Sequence, residues 1–449
     1  MRKLWMILLT LAVAAGGLAW LFAATRPEWT TGSAAALAEY QKGREAQMKF
    51  YFTDAQAAYE RALKLDPNFV AAKIALLDGD KSKEDRQALV EELRAVDRSR
   101  LNPRERLMID VVLARVDGDE AGRAKRIEEF LEEHPKDPWA LMIASNDAWS
   151  RQDLAVAEQR YRELLDLDPN WLVARNHLGY IAMARGQFDE AEESFRTYKY
   201  VAPDQANPHD SLGELLVLLG RFDEARLELE EALRVRPDFC ASYGNLLRAA
   251  LLERDFASFP DIVERAEAHC DPRTATELIC DGAMARALVT GDYAAPFRDL
   301  AERCGKRFDE PTPLGFDLAL QAGREAEAAA MEEKVRHALE KEGAGAGAKR
   351  RQALIVDYMS ATRAMFEGRH AEAARLLRQV DEGSNWWEGN GGGVFRLIVR
   401  AKLVQALERS GETAAAAREL EALRKLNPAA AEWVSVFDFG PPGAARPAA

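Results

Sequence analysis

An all-α chain of stacked helical hairpins, led by one apolar membrane-spanning helix, is predicted from three observations. Prolines recur at a fixed period, glycine-centred turns recur between helix-forming stretches, and a long uncharged apolar run opens the chain. Composition agrees. Alanine, leucine, glutamate and arginine dominate, whereas valine, isoleucine and threonine are comparatively sparse, which favours helix over strand.

The apolar run comes first. Arg2 and Lys3 precede Leu4 to Ala24, and Thr25-Arg26-Pro27 end the run. A helix over this run, at about 1.5 Å per residue, just crosses a hydrocarbon core of roughly 30 Å. Residues 1–25 are therefore expected to form an uncleaved signal-anchor helix. The alternative is a cleaved signal peptide, for which the small-x-small sites near the end (Leu21/Ala23 and Ala23/Thr25) are poor. Positive charge upstream keeps the N-terminus cytoplasmic and places everything from Arg26 onward outside. Residues 26–33 read as a linker.

The repeat follows. Pro135, Pro169, Pro203 and Pro237 stand 34 residues apart, and Pro67 precedes the first by twice that period. The surroundings repeat too: KLDPNFV at 64, DLDPNWL at 166, YVAPDQA at 200 and RVRPDFC at 234. Proline cannot continue a helix, so each marks the end of a second helix. Turns between first and second helices read ARGQFDEA at 184, LLGRFDEA at 218, QAGREAEA at 321, FEGRHAEA at 366 and RSGETAAA at 409. In each, glycine accepts positive φ to close the first helix. Small and aromatic residues alternate where two helices cross: Gly43, Ala55, Tyr59 and Ala62; Leu178-Gly179, Ala191 and Phe195; Leu212-Gly213, Ala225 and Ala232.

This period and these packing positions resemble the tetratricopeptide repeat. The resemblance implies a right-handed α-solenoid of about ten helical hairpins. It is strongest over 34–250; 251–342 reads as degenerate hairpins, with Pro296 at an alanine position. EGAGAGAKRR leads us to expect a flexible Gly-Ala linker over 343–351, followed by further hairpins over 352–430 and a tail over 431–449 with a disordered end. A closer likeness lies in ALAEYQKGREAQMKFYFTDAQAAYERALKLDPNFVAAKIAL and PDQANPHDSLGELLVLLGRFDEA. These resemble the extracytoplasmic repeats of bacterial membrane Ser/Thr kinases and related regulators. Only three residues precede the apolar run in this sequence, so no kinase domain is expected, and the chain resembles the sensor or scaffold half alone.

Catalytic patterns are absent from the sequence. There is no HExxH or Gly-x-Ser-x-Gly, and GAGAGAK lacks a phosphate-loop ending. His209, Asp210 and Ser211 are consecutive, and consecutive helical side chains point about 100° apart, so they do not form a triad. A net charge of -13 argues against nucleic acid as a partner. No cofactor or metal is expected, and the chain is read as a non-enzyme.

The resemblance makes the first helices line a concave groove. Their exposed stripe is Trp139, Met142, Asn146 and Trp149, then Asn176, Tyr180 and Met183, then Asn207, Asp210 and Glu214, with Arg248 in the next unit. Rings and amides of this kind suit an extended peptide or a partner helix; the alternative is that Trp139 and Trp149 fill space between neighbouring helices. The family's carboxylate clamp is rejected, because of its matching positions (Met142, Asn146, His177, Asn207 and Ser211) only Asn146 agrees. Trp386 and Trp387, in NWWEGNGGG, form a second candidate loop site, or plug the neighbouring hairpin. Cys240, Cys270, Cys280 and Cys304 have no zinc spacing. Either they pair as Cys240–Cys270 and Cys280–Cys304 across two hairpins, or they are four free buried thiols.

The expected function is a non-catalytic scaffold or adaptor that binds proteins or peptides in the periplasm while anchored in the bacterial inner membrane. If the leader is cleaved, the chain is instead secreted. The alternatives are a sensor coupling ligand binding to a membrane partner, and a non-catalytic subunit of an envelope or polysaccharide assembly enzyme.

Overall fold

The computed structural model describes residues 28–77, 79, 82–340, 346–385, 393–436 and 438–440. The regular elements among them are all helical, and the chain divides into two units, residues 1–133 and 134–449. The expected anchor over 1–25, the Trp386–Trp387 loop and the expected tail beyond 440 lie outside the described residues. Among the described residues no helix is long and apolar enough to cross a membrane.

The first unit contains α1 (Ala34–Met48), α2 (Phe52–Leu65), α3 (Val70–Leu76), α4 (Lys83–Arg94), α5 (Pro103–Asp117) and α6 (Glu120–Glu133). Ser33 starts α1 by accepting the Ala36 N–H at 3.1 Å. Asn102 and Glu105 form a reciprocal capping box that starts α5. Ala55, Ala58, Tyr59 and Ala62 give α2 one buried face, and Gly43 admits the Tyr59 ring, to which a Cβ would come within 2.5 Å.

The linker expected over 26–33 is not a free linker where it is described. Trp29 is 1% exposed, packs edge-on to Tyr40 at 5.1 Å, and has the Arg44 and Arg104 guanidiniums each 5.6 Å from its ring centre. The Thr30 N–H donates to the buried Glu105 carboxylate at 2.7 Å. An aromatic ring two residues after Pro27 buries enough apolar surface to hold the segment to the unit.

The second unit opens with three regular hairpins: α7 (Pro138–Ser150) with α8 (Leu154–Leu167), α9 (Leu172–Ala184) with α10 (Phe188–Val201), and α11 (Ala206–Leu218) with α12 (Phe222–Val235). Pro169, Pro203 and Pro237 each stand two residues past a second helix. The predicted turn glycines Gly186, Gly220, Gly323, Gly368 and Gly411 all have positive φ. Gln152 and Arg254 take the same left-handed conformation at other turns without glycine's freedom, with φ of 63° in each.

Helix α13 (Cys240–Glu253) pairs with α14 (Phe259–His269), and a Cys240–Cys270 disulfide joins the open end of that hairpin with Cα atoms 5.8 Å apart. In the next hairpin Pro296 falls in a short helix, α16 (Ala295–Asp299), and the second arm resumes as α17 (Ala301–Phe308). Cys280–Cys304 ties that arm to α15 (Pro272–Thr290). The array continues with α18 (Pro313–Gln321), α19 (Glu325–Glu340), α20 (Ala346–Phe366), α21 (His370–Gly383), α22 (Gly393–Arg409), α23 (Thr413–Leu426) and α24 (Pro428–Val436). Two expected boundaries therefore move. Residues 346–351, expected in a flexible linker, are the first turns of α20, because the following apolar face extends the helix backward. Residues 431–436, expected in the tail, complete α24, where Ala430, Ala431, Trp433 and Val434 are buried.

Close crossings fix the hairpins. A Cβ on Gly213 would lie 2.7 Å from the Leu229 side chain, and one on Gly179 would collide with the Phe195 ring, which is fully buried. Alanine gains about 1 kcal/mol over glycine in helix propensity, whereas overpacking a filled core costs about 1–3 kcal/mol. Gly179→Ala is therefore expected to lower the urea midpoint. Gly282→Ala, where a Cβ meets nothing closer than 3.7 Å, is expected to hold or raise it.

The second unit also closes on itself. One apolar core includes Met183, Leu216, Leu247 and Leu251 of the early hairpins and Tyr358, Phe395, Leu403 and Trp433 of the late ones. Asn427 donates from Nδ2 to the Val217 and Leu218 carbonyls at 3.2 and 3.0 Å, capping the end of α11, while its Oδ1 accepts the Ala430 N–H. The Asn385 side chain donates to Gln152 at 3.0 Å, at the turn after α7.

Candidate functional site

The stripe expected to face a partner is largely used inside the unit. Met142, Asn176, Met183, Asn207 and Asp210 are buried. Trp139 meets Trp171 edge-on at 5.8 Å, and Trp149 meets His177 at 5.5 Å, so both rings lie between neighbouring helices. Asn146 is exposed and accepts a hydrogen bond from Tyr161 at 2.7 Å. The physical reason is the close packing of successive first helices, which turns these positions towards the next repeat.

A polar ladder results across α9, α11 and α13. Ser211 donates to Asn176 Oδ1 at 2.9 Å, and the Tyr180 hydroxyl donates to Glu214 at 2.8 Å. Ser242 and Asn245 donate to Asp210 Oδ1 at 2.8 and 3.1 Å, and Arg248 donates to Asn245 Oδ1 at 2.7 Å. His209, Asp210 and Ser211 point to separate partners: His209 meets Glu228 and the Pro203 carbonyl, Asp210 meets α13, and Ser211 meets α9. They form no catalytic constellation.

Burial pushes the Asp210 carboxyl up to about 7, and the neighbouring Glu214 charge adds to this against the Ser242, Asn245 and Arg248 contacts. The unfolded carboxyl titrates near 3.9. Its stabilising contribution is thus complete below about 4 and is lost as pH rises through about 7. Asp210→Asn is expected to flatten the pH dependence of the second unit's thermal midpoint between those limits. Thermal melts of wild type and variant from pH 4 to 8 measure this; parallel curves would contradict it.

The second unit also has a cavity of about 310 Å³, partly open to solvent, between α13, α15, α18, α20, α22 and α24. Its walls are mainly aliphatic and aromatic, including Leu247, Phe259, Leu278, Phe395 and Trp433. On one side Lys402, 1% exposed, bonds both Asp317 oxygens at 2.7 Å and Thr362 Oγ1 at 2.9 Å. The Tyr358 hydroxyl donates to the same carboxylate at 2.6 Å. Burial pulls the Lys402 ammonium below its ordinary range, and Asp317 works against that shift.

Neither this cavity nor its buried pair was foreseen from the sequence. The available signal was a lone charge inside each of two apolar helical stretches, GFDLAL at 315 and AKLVQAL at 401. Among the described residues no group of three or more His, Cys, Asp or Glu side chains is placed to hold a metal ion.

Residues 144–209 and 211–273 match the family described as Tetratricopeptide repeat. No curated protein is significantly similar to the chain. Two solved structures bear a looser likeness. A tetratricopeptide repeat protein from Parabacteroides merdae is 16% identical over 55% of this chain and 98% of its own, with a TM-score of 0.38. The APC/C hetero-tetramer Cut9-Hcn1 is 13% identical over 89% of this chain and 75% of its own, with a TM-score of 0.45.

Proposed function

We propose that this chain is a non-catalytic scaffold or adaptor, anchored in the bacterial inner membrane by residues 1–25, whose repeats hold a protein or peptide partner in the periplasm. The tandem tetratricopeptide segments between 144 and 273 carry the reading, since such hairpins present extended helical faces to partners. The two disulfides support an oxidising compartment on the far side of the membrane. With much of the expected stripe buried, the part of it left to a partner centres on the exposed Asn146 and the partly exposed edges of Trp139 and Trp149.

The test is cross-linking of the full chain in bacterial envelopes, followed by detergent solubilisation, affinity capture and mass spectrometry. An alanine variant at Trp139, Asn146 and Trp149, matched for helical circular dichroism, runs in parallel. Recovery of a defined envelope protein from the membrane fraction, lost in the variant, supports the proposal. Recovery in the soluble cytoplasmic fraction, or retention of the same partner by the variant, overturns the anchor or the surface respectively.

The largely apolar cavity favours a second reading, a sensor in which a small ligand alters what the repeats hold. If it is correct, the captured partner is a membrane kinase or regulator, in line with the resemblance to extracytoplasmic kinase repeats.

A further inference from the structure

The cavity in the second unit has an unusual inventory of polar groups. Protein interiors pack as densely as organic crystals, and voids larger than a water molecule are few. At about 310 Å³ this one has room for about ten water-sized groups. Its lining is dominated by carbon, which makes it a poor container for that much water and a good one for an apolar body.

Charges on the wall are nearly all answered from within. Lys402 pairs with Asp317, Arg307 pairs with Asp281 at 2.8 Å, and Asp438 pairs with Arg409. Arg248 differs. Its one hydrogen bond among the described residues is to the neutral Asn245 side chain, no described carboxylate forms an ion pair with it, and Asp210 reaches it only by a longer-range attraction. A guanidinium has five N–H donors in a planar fork, so most of its capacity faces the cavity and solvent. Gln321 supplies a second open group. Its Nε2 is fixed by the Asp438 and Gly440 carbonyls, each at 3.0 Å, and its buried Oε1 has no donor among the described residues.

We infer that this cavity is a binding site for a small amphipathic monocarboxylate of about ten heavy atoms in all, with its acyl or aryl body between α13, α15 and α22 and its carboxylate on Arg248. One cation that makes no ion pair among the described residues sets the class. A neutral body leaves Arg248 without an ion pair, a cationic head is repelled by it, and a doubly charged phosphate head needs a second open cation, whereas the other described cations of the wall, Arg307 and Lys402, are already paired. The Gln321 acceptor adds a preference for acids carrying a hydroxyl or amide N–H. The site lies apart from the Trp139–Trp149 surface of the proposed adaptor, so either assignment can fail without the other.

Isothermal titration of the purified full chain in amphipol tests the site, with octanoate as probe and octanamide and octylammonium as controls of matched length. Octanoate is expected to bind saturably at one site per chain, with at least tenfold weaker binding by either control. Arg248→Met is expected to weaken octanoate at least tenfold and to erase its advantage over octanamide. Leu278→Trp and Ala285→Leu fill the cavity from α15 and are expected to abolish binding with helicity retained; using two such variants keeps the test intact if one fails to fold. Equal binding of octanamide and octanoate to wild type, unchanged binding by a folded cavity-filled variant, or no octanoate heat at millimolar concentration would each overturn the assignment.

Discussion

Lys402→Met is expected to cost the second unit about 3–5 kcal/mol. Lys402 is 1% exposed, and its ammonium is held by both oxygens of Asp317 and by Thr362. Removing the cation leaves Asp317 buried with only the Tyr358 and Thr362 hydroxyls, and a buried carboxylate without its counter-charge is costly. The cost comes mostly from the charge left behind, and this makes the prediction specific. The triple variant Asp317→Leu, Tyr358→Phe, Lys402→Met removes the stranded groups together and should be clearly more stable than Lys402→Met alone. Thermal melts of the four proteins (wild type, Lys402→Met, Asp317→Leu and the triple variant) measure it. If Lys402→Met melts with wild type, or the triple variant melts below it, the pair is not the electrostatic unit described here.

How much of this was legible in the sequence depends on how local the determinant is. Proline spacing and turn glycines act on their own backbone, so the helix ends at 65, 167, 201 and 235 and the positive-φ turns at 186, 220, 323, 368 and 411 could be read directly. The crossings at Gly43, Gly179 and Gly213 were also legible, since a missing side chain facing a large one repeats with the period. The direction of the first-helix stripe was not. Whether Met183 or Asp210 meets a ligand or the next repeat depends on how closely successive helices approach, and no residue within one repeat reports that distance. Closure of the second unit was hidden for a similar reason. The Asn427 contact to the end of α11 spans 209 residues, and at the sequence level that asparagine is only a helix start. The cavity follows from closure, so Arg248 and Lys402 took on their meaning only once α22 and α24 were placed against α13.

Reduction of the two disulfides is the second large effect expected. Cys240–Cys270 spans 30 residues and Cys280–Cys304 spans 24. Closing loops of that size in the unfolded chain is worth about 3.5 kcal/mol each in the chain-entropy account. Loss of both should lower the thermal midpoint of the second unit by at least ~10 °C. The first unit has no cysteine between residues 28 and 133 and should melt unchanged, which makes it an internal control. Order is predictable as well. Cys280 and Cys304 are fully buried, whereas Cys240 and Cys270 are partly exposed at the open end of their hairpin. Mild reductant should therefore open Cys240–Cys270 first, and Cys280–Cys304 should resist until the α15–α17 hairpin itself opens. Mass spectrometry of alkylated protein, with melts at each stage, follows both events. Four free thiols in protein taken from cell envelopes would remove the disulfides and, with them, the compartment argument for a periplasmic array. Two bonds reduced in the stated order, with the first unit unmoved, would tie the stability of the cavity-bearing unit to an oxidising environment.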